Sequence, residues 1–390
     1  MTSPRTRDRY DVVVVGARAG GAATATLLAR EGLRVLLLDK ARRGSDTLST
    51  LALMRPAVLL LHRWGLLDRL AASGTPPVRR TVFHYGTERV PVDVRPGDGV
   101  DALYAPRRTV LDPLLADAAA EAGADVRFEV DVRALLHDDH GRVVGVTGRD
   151  AHGRAVEAHA PWVVGADGRR SLVAREVDAP VMHVGSASSA YLVTFVEGLP
   201  TDGYEWAFAP GRLAGFVPSS DGWTNVWASV PTLRGSGRDT ERTLWRAVGS
   251  ISPDLAERLA GARRVSPVRG HPGSPALVRR PYGPGWALVG DAGAYRDPAT
   301  AHGITDAFRD AELLAGALVE VFEGCDPAEA MRRYELRRDA ASVPVLEVTE
   351  SIAALDWDMA GLPDLHRRLS RALKAETEAV LGRAGAAAVA

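Results

Sequence analysis

YDVVVVGARAGGAATATLLAREGLRVLLLDK, residues 10–40, decides the fold. Tyr10–Val15 is a continuous β-branched run, the pattern of a strand buried on both faces in a parallel sheet. A glycine-rich turn follows at Gly16–Gly21, and Ala22–Glu31, rich in Ala and Leu, reads as a helix. Gly32 ends that helix at the position where left-handed geometry favours glycine. Leu33–Leu38 is a second apolar strand, closed by Asp39. The whole is a βαβ unit of the usual ~30 residues. A dinucleotide pyrophosphate needs close backbone approach and the free N–H groups of a helix N-terminus. Gly16, Gly20 and Gly21 supply both, with Ala19 between them. Arg18 stands where the usual pattern has its middle glycine, and its guanidinium is suited to phosphate oxygens. Asp39, 18 residues after Gly21, stands where an acid accepts hydrogen bonds from ribose hydroxyls, with Lys40 beside it. Alone, the turn also reads as a tight βα connection without ligand, and Asp39 as a solvated strand end.

Outward from this unit, residues 51–72 carry a helical period, 78–94 alternate like a hairpin, and Thr109–Gly123 is a helix. Residues 125–160 predict a β-meander of strands at 126–135, 142–148 and 155–158. A strand-rich, aromatic region spans about 181–275, broken by a helix near 239–260. Trp286–Gly290 is another buried strand, 302–322 a helix, and helices continue to about 378. Residues 1–9 and the final GRAGAAAVA read as disordered or frayed.

Three further motifs carry chemistry. Tyr104-Ala-Pro-Arg107-Arg108-x-x-Leu111-Asp112 places an arginine at a helix start. Val163-Val-Gly165-Ala-Asp167-Gly168-Arg-Arg-Ser171 is a strand stopping at an Asp-Gly turn. Leu288-Val-Gly290-Asp291-Ala-Gly, followed by Asp297-Pro298-Ala-Thr-Ala-His302-Gly303-Ile304, sets a carboxylate after a buried strand and a helix N-terminus behind it. The positive end of that helix suits a ring that becomes anionic on reduction. Singly, each has a bland alternative: an exposed arginine, a common turn, a histidine bonded to backbone.

In this order the motifs resemble the FAD-dependent aromatic-hydroxylase family, with its squalene-epoxidase-like, flavin-halogenase-like and geranylgeranyl-reductase-like branches. The likeness runs from about Tyr10 to Ala315. It implies an α/β fold: a Rossmann-like FAD-binding domain (a βαβ unit of glutathione-reductase type with a β-meander) interleaved with a smaller α+β substrate domain. The expected division is 1–75, 104–180 and 276–325 for the FAD domain, 76–103 and 181–275 for the substrate domain, and 326–390 for C-terminal helices. By the same resemblance Gly16–Gly21 hold the pyrophosphate, Asp39 the adenosine ribose, Val132 the adenine through its backbone, and Arg108 lies along the phosphates and ribityl chain. Asp291, after Gly290, binds ribityl hydroxyls. Asp167 belongs to a motif linked to FAD and to the nicotinamide donor. The Gly303–Ile304 backbone faces the pyrimidine edge, and Pro298 is a further cofactor-binding position. His302 is the acid/base candidate. The sequence departs from the family at Arg18 and at Leu51, where relatives with a similar SDTLST segment often carry histidine.

On the substrate side, Tyr204, Trp206 and Phe208 share one face of a strand and Trp223, Asn225 and Trp227 share one face of another. Such lining suits a flat or polycyclic substrate; an ordinary aromatic core is the alternative. The activity implied is NAD(P)H-dependent hydroxylation or epoxidation of an aromatic small molecule with dioxygen, through a flavin hydroperoxide. A flavin-dependent reductase of isoprenoid double bonds is one alternative, since Tyr204-Glu-Trp-Ala-Phe-Ala-Pro210 partly resembles the aromatic motif of geranylgeranyl reductases. A non-catalytic flavin sensor is another. A halogenase would need an active-site lysine, and Lys40 and Lys374 are the two lysines present.

Composition bounds the partners. A 46% hydrophobic and 25% charged chain of 390 residues has material for a core, and net charge −1 offers no attraction to nucleic acid. No stretch approaches the ~18 apolar residues of a membrane span, so a cytoplasmic protein, monomer or homodimer, is expected. One cysteine, Cys325, cannot make an internal disulfide or a CxxC metal site, and no metal is expected. That thiol, between acids, is read as structural.

Overall fold

The computed structural model describes residues 10–231 and 238–387. Its centre is a six-stranded sheet in the spatial order Tyr282–Gly283, Trp286–Leu288, Trp162–Gly165, Val12–Val15, Val35–Asp39, Asp125–Phe128, parallel except for the 282–288 hairpin. Val12–Val15 is buried at every position, as its unbroken valine run requires. The Ala19–Arg30 helix packs on one face of the sheet, against the helices Arg108–Glu121 and Gly303–Phe322. The other face is covered by a three-stranded meander, Val130–His137, Val143–Asp150 and Ala155–His159.

The meander differs from expectation at its first strand. Residues 125–128 pair in parallel with 36–39, and only from Val130 does the chain join the meander. Glu129, in the left-handed region at φ 58°, turns it from one sheet into the other. The 51–72 period is likewise two helices, Arg55–Arg63 and Leu67–Ala72, separated at Gly65 with φ 70°. Cys325 is exposed, so it packs no core.

A second sheet of eight strands combines the 80–93 hairpin with strands between 190 and 271. Tyr204–Ala209 joins the two portions, pairing in parallel with Arg80–Tyr85 and antiparallel with Arg212–Pro218. One face carries the helices Arg238–Gly249 and Pro253–Ala260; the other packs into the core shared with the first sheet. The two aromatic rows read from sequence lie on this one inner face: Trp206 is opposite Gly215, and Gly215 opposite Trp227. Gly215 leaves room for the Trp227 indole, which a Cβ there would meet at 2.7 Å.

Helices Pro327–Ala353 and Leu362–Ala387 close the chain. No described helix is long and apolar enough to cross a membrane. Residues 1–9 and 388–390 lie outside the described residues, whereas 382–387, the start of the GRAGAAAVA tail read as frayed, continue the last helix.

Candidate active site

The carboxyl ends of the parallel strands open into one cavity of about 830 Å³. Ligands of open α/β sheets bind at this edge, where the chain turns from strand to helix. Gly16, Arg18, Ala19, Gly20, Asp39, Lys40, Arg108, Val132, Asp167, Gly290, Asp291, Pro298, His302, Gly303 and Ile304 all border it. Segments up to 288 positions apart thus share one wall. Gly21 does not border it. Its part is steric: a Cβ there would sit 1.8 Å from the Gly16 carbonyl oxygen. Gly16 itself has φ 105°, and its Cβ would sit 2.4 Å from the Ala166 carbonyl oxygen. Two glycines therefore let the turn close tightly on the neighbouring strand.

Charge along the cavity changes in steps. Asp39 accepts the Ala17 and Ala41 amides, 2.8 and 2.7 Å away, so it pins the glycine turn to the second strand. Arg108 donates to Asp112 Oδ1 at 2.9 Å, and Arg18 lies 3.5 Å from Asp112 Oδ2. Two guanidiniums share one buried carboxylate, which burial pushes up from its ordinary range. The surplus positive charge beside the first N–H groups of the Ala19–Arg30 helix suits a pyrophosphate. Asp167 accepts the Leu172 amide at 2.6 Å through Oδ2, while its buried Oδ1 has no partner.

Asp291 is held between Gly290, whose φ of 59° turns the chain, and Gly303. A Cβ on Gly303 would stand 3.9 Å from Asp291 Oδ1, so the carboxylate reaches toward the start of the next helix. Burial, and then Asp306, push the Asp291 carboxyl up to about 6. The sign follows: ionised Asp291 costs stability as pH rises from 3.8 to about 6, and the cost is complete above that. Asp291→Asn apoprotein should therefore melt higher than wild type above about pH 6 and no differently below 3.8. Thermal melts across that range check it; a variant that melts lower throughout would show the carboxylate to be a structural partner.

His302 is fully buried at the N-terminus of the Gly303–Phe322 helix, one residue after Ala301, which is left-handed at φ 51°. Its Nε2 lies 2.6 Å from Glu376 of the C-terminal helix, and its Nδ1 has no partner. Ligand atoms of His302, Asp306 and Glu376 lie within 4.8 Å of one another. Arg309 bridges Asp306 and Glu376, at 2.7 and 2.5 Å, and Arg296 holds Asp306 at 2.7 Å, so guanidinium N–H groups use the lone pairs a cation would take.

Tyr204, Trp206, Phe208 and Trp227 are buried on the inner face of the second sheet, and none borders the cavity. Tyr191 does, and its ring stacks on Trp227 with centroids 6.0 Å apart. Around that pair the Tyr191 hydroxyl, Trp227 Nε1, Asn225 Oδ1 and Ser229 Oγ are buried without hydrogen-bond partners. Sequence reading missed Tyr191 and Glu376, and gave no role to Thr47–Thr50 of the SDTLST segment, which borders the cavity next to buried Leu51 at φ 67°. Alternation along Ala190–Glu197 could have found Tyr191; no local pattern marks Glu376.

Residues 9–349 match the family described as FAD binding domain. The chain is 28% identical to 6-methylpretetramide 4-monooxygenase of Streptomyces rimosus over 90% of its own length and 63% of that protein's, so it spans under two thirds of that relative. It is also 28% identical to digeranylgeranylglycerophospholipid reductase of Methanocella arvoryzae, covering 84% of this chain and 82% of the relative. Among solved structures, flavin-dependent brominase Bmp2 superposes with a TM-score of 0.80 at 19% identity, over 94% of this chain and 93% of that one, a likeness of fold.

Proposed function

We propose that the chain, which belongs to the FAD binding domain family, is an FAD-dependent oxidoreductase of the monooxygenase kind that hydroxylates or epoxidises an aromatic or polycyclic small molecule, with NAD(P)H as electron donor. The observation that carries the reading is the single cavity on which the glycine turn, Asp39, Arg108, Asp167, Asp291 and the Gly303 helix start converge.

The residues present fit FAD. The buried Asp167 Oδ1 has no hydrogen-bond partner, the Asp291 side chain borders the cavity, and glycines stand where a Cβ would obstruct backbone approach. We assign Asp39 and Lys40 to the adenosine ribose, Val132 to adenine, Arg18, Arg108 and the Ala19–Gly20 amides to the pyrophosphate, and Asp291 to the ribityl chain. The Gly303–Ile304 backbone takes the pyrimidine edge, and Pro298 lines the cofactor cavity beside it. When bound, FAD supplies the redox and oxygen chemistry. The chain's own work is to exclude water and orient the ring, with His302, a buried residue bordering the cavity, as the acid/base candidate.

The substrate layer is assigned to 76–103 and 181–275, the strands of the second sheet, between FAD-binding portions 1–75, 104–180 and 276–325. Tyr191, Tyr204, Trp206, Phe208 and Trp227 form its aromatic floor. Buried polar atoms are nearly always paired, so the four orphans around Tyr191 and Trp227 favour a planar substrate bearing oxygen substituents. The relative acting on 6-methylpretetramide agrees with this class. A second reading, reduction of isoprenoid double bonds, is favoured by the aromatic Tyr204–Ala209 strand and the digeranylgeranylglycerophospholipid reductase relatives. A halogenase is disfavoured: Lys374 is exposed beside Glu378, and Lys40 follows the ribose acid.

Anaerobic mixing of FAD-loaded protein with NADPH and then NADH should bleach the flavin band, and oxygen should restore it. Turnover that consumes no oxygen would install the reductase reading. Asp291→Ala should weaken FAD retention at least about tenfold, the equivalent of one charge-assisted hydrogen bond of about 1.5 kcal/mol. Equilibrium dialysis of FAD measures this; unchanged retention, or wild-type protein that never holds flavin, removes the assignment.

A further inference from the structure

Glu376 lies 74 positions after His302 and on another helix, yet the two meet at 2.6 Å with both side chains fully buried. The same carboxylate receives Arg309 Nη1 on its other oxygen, at 2.5 Å. Burial alone would raise the Glu376 carboxyl; the hydrogen bond from His302 and the Arg309 guanidinium outweigh it and hold it below its ordinary range. A carboxylate only accepts, so His302 Nε2 carries the hydrogen, and a neutral ring then leaves Nδ1 as an acceptor. That Nδ1 is the unpartnered atom, on a residue bordering the cavity.

We propose that Glu376 is a positioning residue for the cofactor cavity: by taking the His302 Nε2–H it fixes the imidazole tautomer and turns an acceptor nitrogen toward whatever fills the cavity beside Gly303. The C-terminal helix thereby belongs to the site, though no residue of it borders the cavity. The ligand recognised at Nδ1 is an N–H or O–H donor, carried by a flavin or by a hydroxylated substrate lying on it. What Nδ1 faces rests on the flavin reading above; the Glu376–His302 relation does not.

Glu376→Gln separates the two. Arg309 still donates to the carbonyl oxygen at position 376, which leaves the amide N–H₂ toward His302. That group donates where the carboxylate accepted, so Nε2 must become the acceptor and the ring hydrogen must move to Nδ1. The experiment is nitrogen NMR of protein with labelled histidine, without FAD, using His302→Gln to assign the resonances. Wild type should show protonated Nε2 and bare Nδ1; Glu376→Gln should show the reverse. Added FAD should shift the wild-type Nδ1 resonance, and Glu376→Gln should weaken FAD retention about tenfold. Lys374→Ala, exposed on the same helix, should leave both readouts unchanged.

An unaltered tautomer in folded Glu376→Gln overturns the proposal whether or not flavin binds. Flavin bound to wild type without moving the Nδ1 resonance overturns it too, and leaves the cofactor reading intact. Wild type that binds no FAD sinks the cofactor reading, and the tautomer comparison still decides the role of Glu376. If Glu376→Gln does not fold, Glu376→Asp, which keeps the charge on a shorter arm, should retain the wild-type tautomer and weaken FAD retention; a reversed tautomer there overturns the proposal.

Discussion

Gly21→Ala should yield protein that holds no FAD and melts well below wild type. The added Cβ would stand 1.8 Å from the Gly16 carbonyl oxygen, and that neighbour is backbone. A flexible side chain would swing away; a carbonyl in the middle of the glycine turn cannot move without dragging the Ala17 amide off Asp39. Overpacking of a core costs about 1–3 kcal/mol, and displacement of backbone lies at the upper end. The loss of cofactor comes on top, because a bound ligand stabilises only the fold that binds it. Gly316→Ala is the matched comparison. Gly316 lies in the Gly303–Phe322 helix, and a Cβ there meets nothing within 4 Å. Replacing a helix glycine should raise stability by about 0.5–1 kcal/mol. Calorimetry and FAD titration of both variants check the pair. Equal melting temperatures would mean that the turn relaxes freely, contrary to its tight closure on Asp39 and Ala166.

Arg309→Met should cost about 3–5 kcal/mol, the usual penalty for leaving buried charge without its partner. Arg309 is fully buried and contacts Asp306 at 2.7 Å, Asp310 at 2.8 Å and Glu376 at 2.5 Å. Methionine matches the stem and removes the charge. The pH dependence carries a sign. The Glu376 carboxyl is held at about 2, below its ordinary 4.5, so in wild type its contribution is complete above 4.5 and is lost as pH falls toward 2. Without Arg309 the Glu376 and Asp310 carboxyls lose a charge that lowers them, and the variant should recover part of its deficit on acidification. Denaturant unfolding at neutral and mildly acidic pH measures this. A deficit unchanged by acid would show that Arg309 acts through packing of its stem.

What the sequence made legible is what chemistry forces into short segments. The glycine turn, Asp39, Asp167, Asp291 and Gly303 each announce themselves because a phosphate, a ribose or a helix dipole needs particular residues within a few positions. Arg108 and Asp112 are one turn apart on a helix, a spacing at which side chains meet. The split at Glu129 was illegible, since residues 125–137 alternate as one strand and only a single left-handed residue divides them between sheets. The aromatic rows were legible as rows, but not as one face, because that depends on the register of two strands with a third between them. Glu376 was illegible because nothing in its helix hints at a histidine 74 positions earlier.

That helix also sets a timetable. A chain emerging from the ribosome presents the glycine turn, Asp39 and Arg108 early, and with them one part of the cavity lining. The strand Trp286–Leu288, which extends the central sheet beyond Trp162–Gly165, arrives much later, with Asp291 and His302 behind it. Arg309 meets its last carboxylate only when residue 376 has been made. A chain cut before residue 376 would therefore carry the glycine turn, Asp39, Arg108, Asp291 and His302 and still leave Arg309 and His302 without their shared carboxylate.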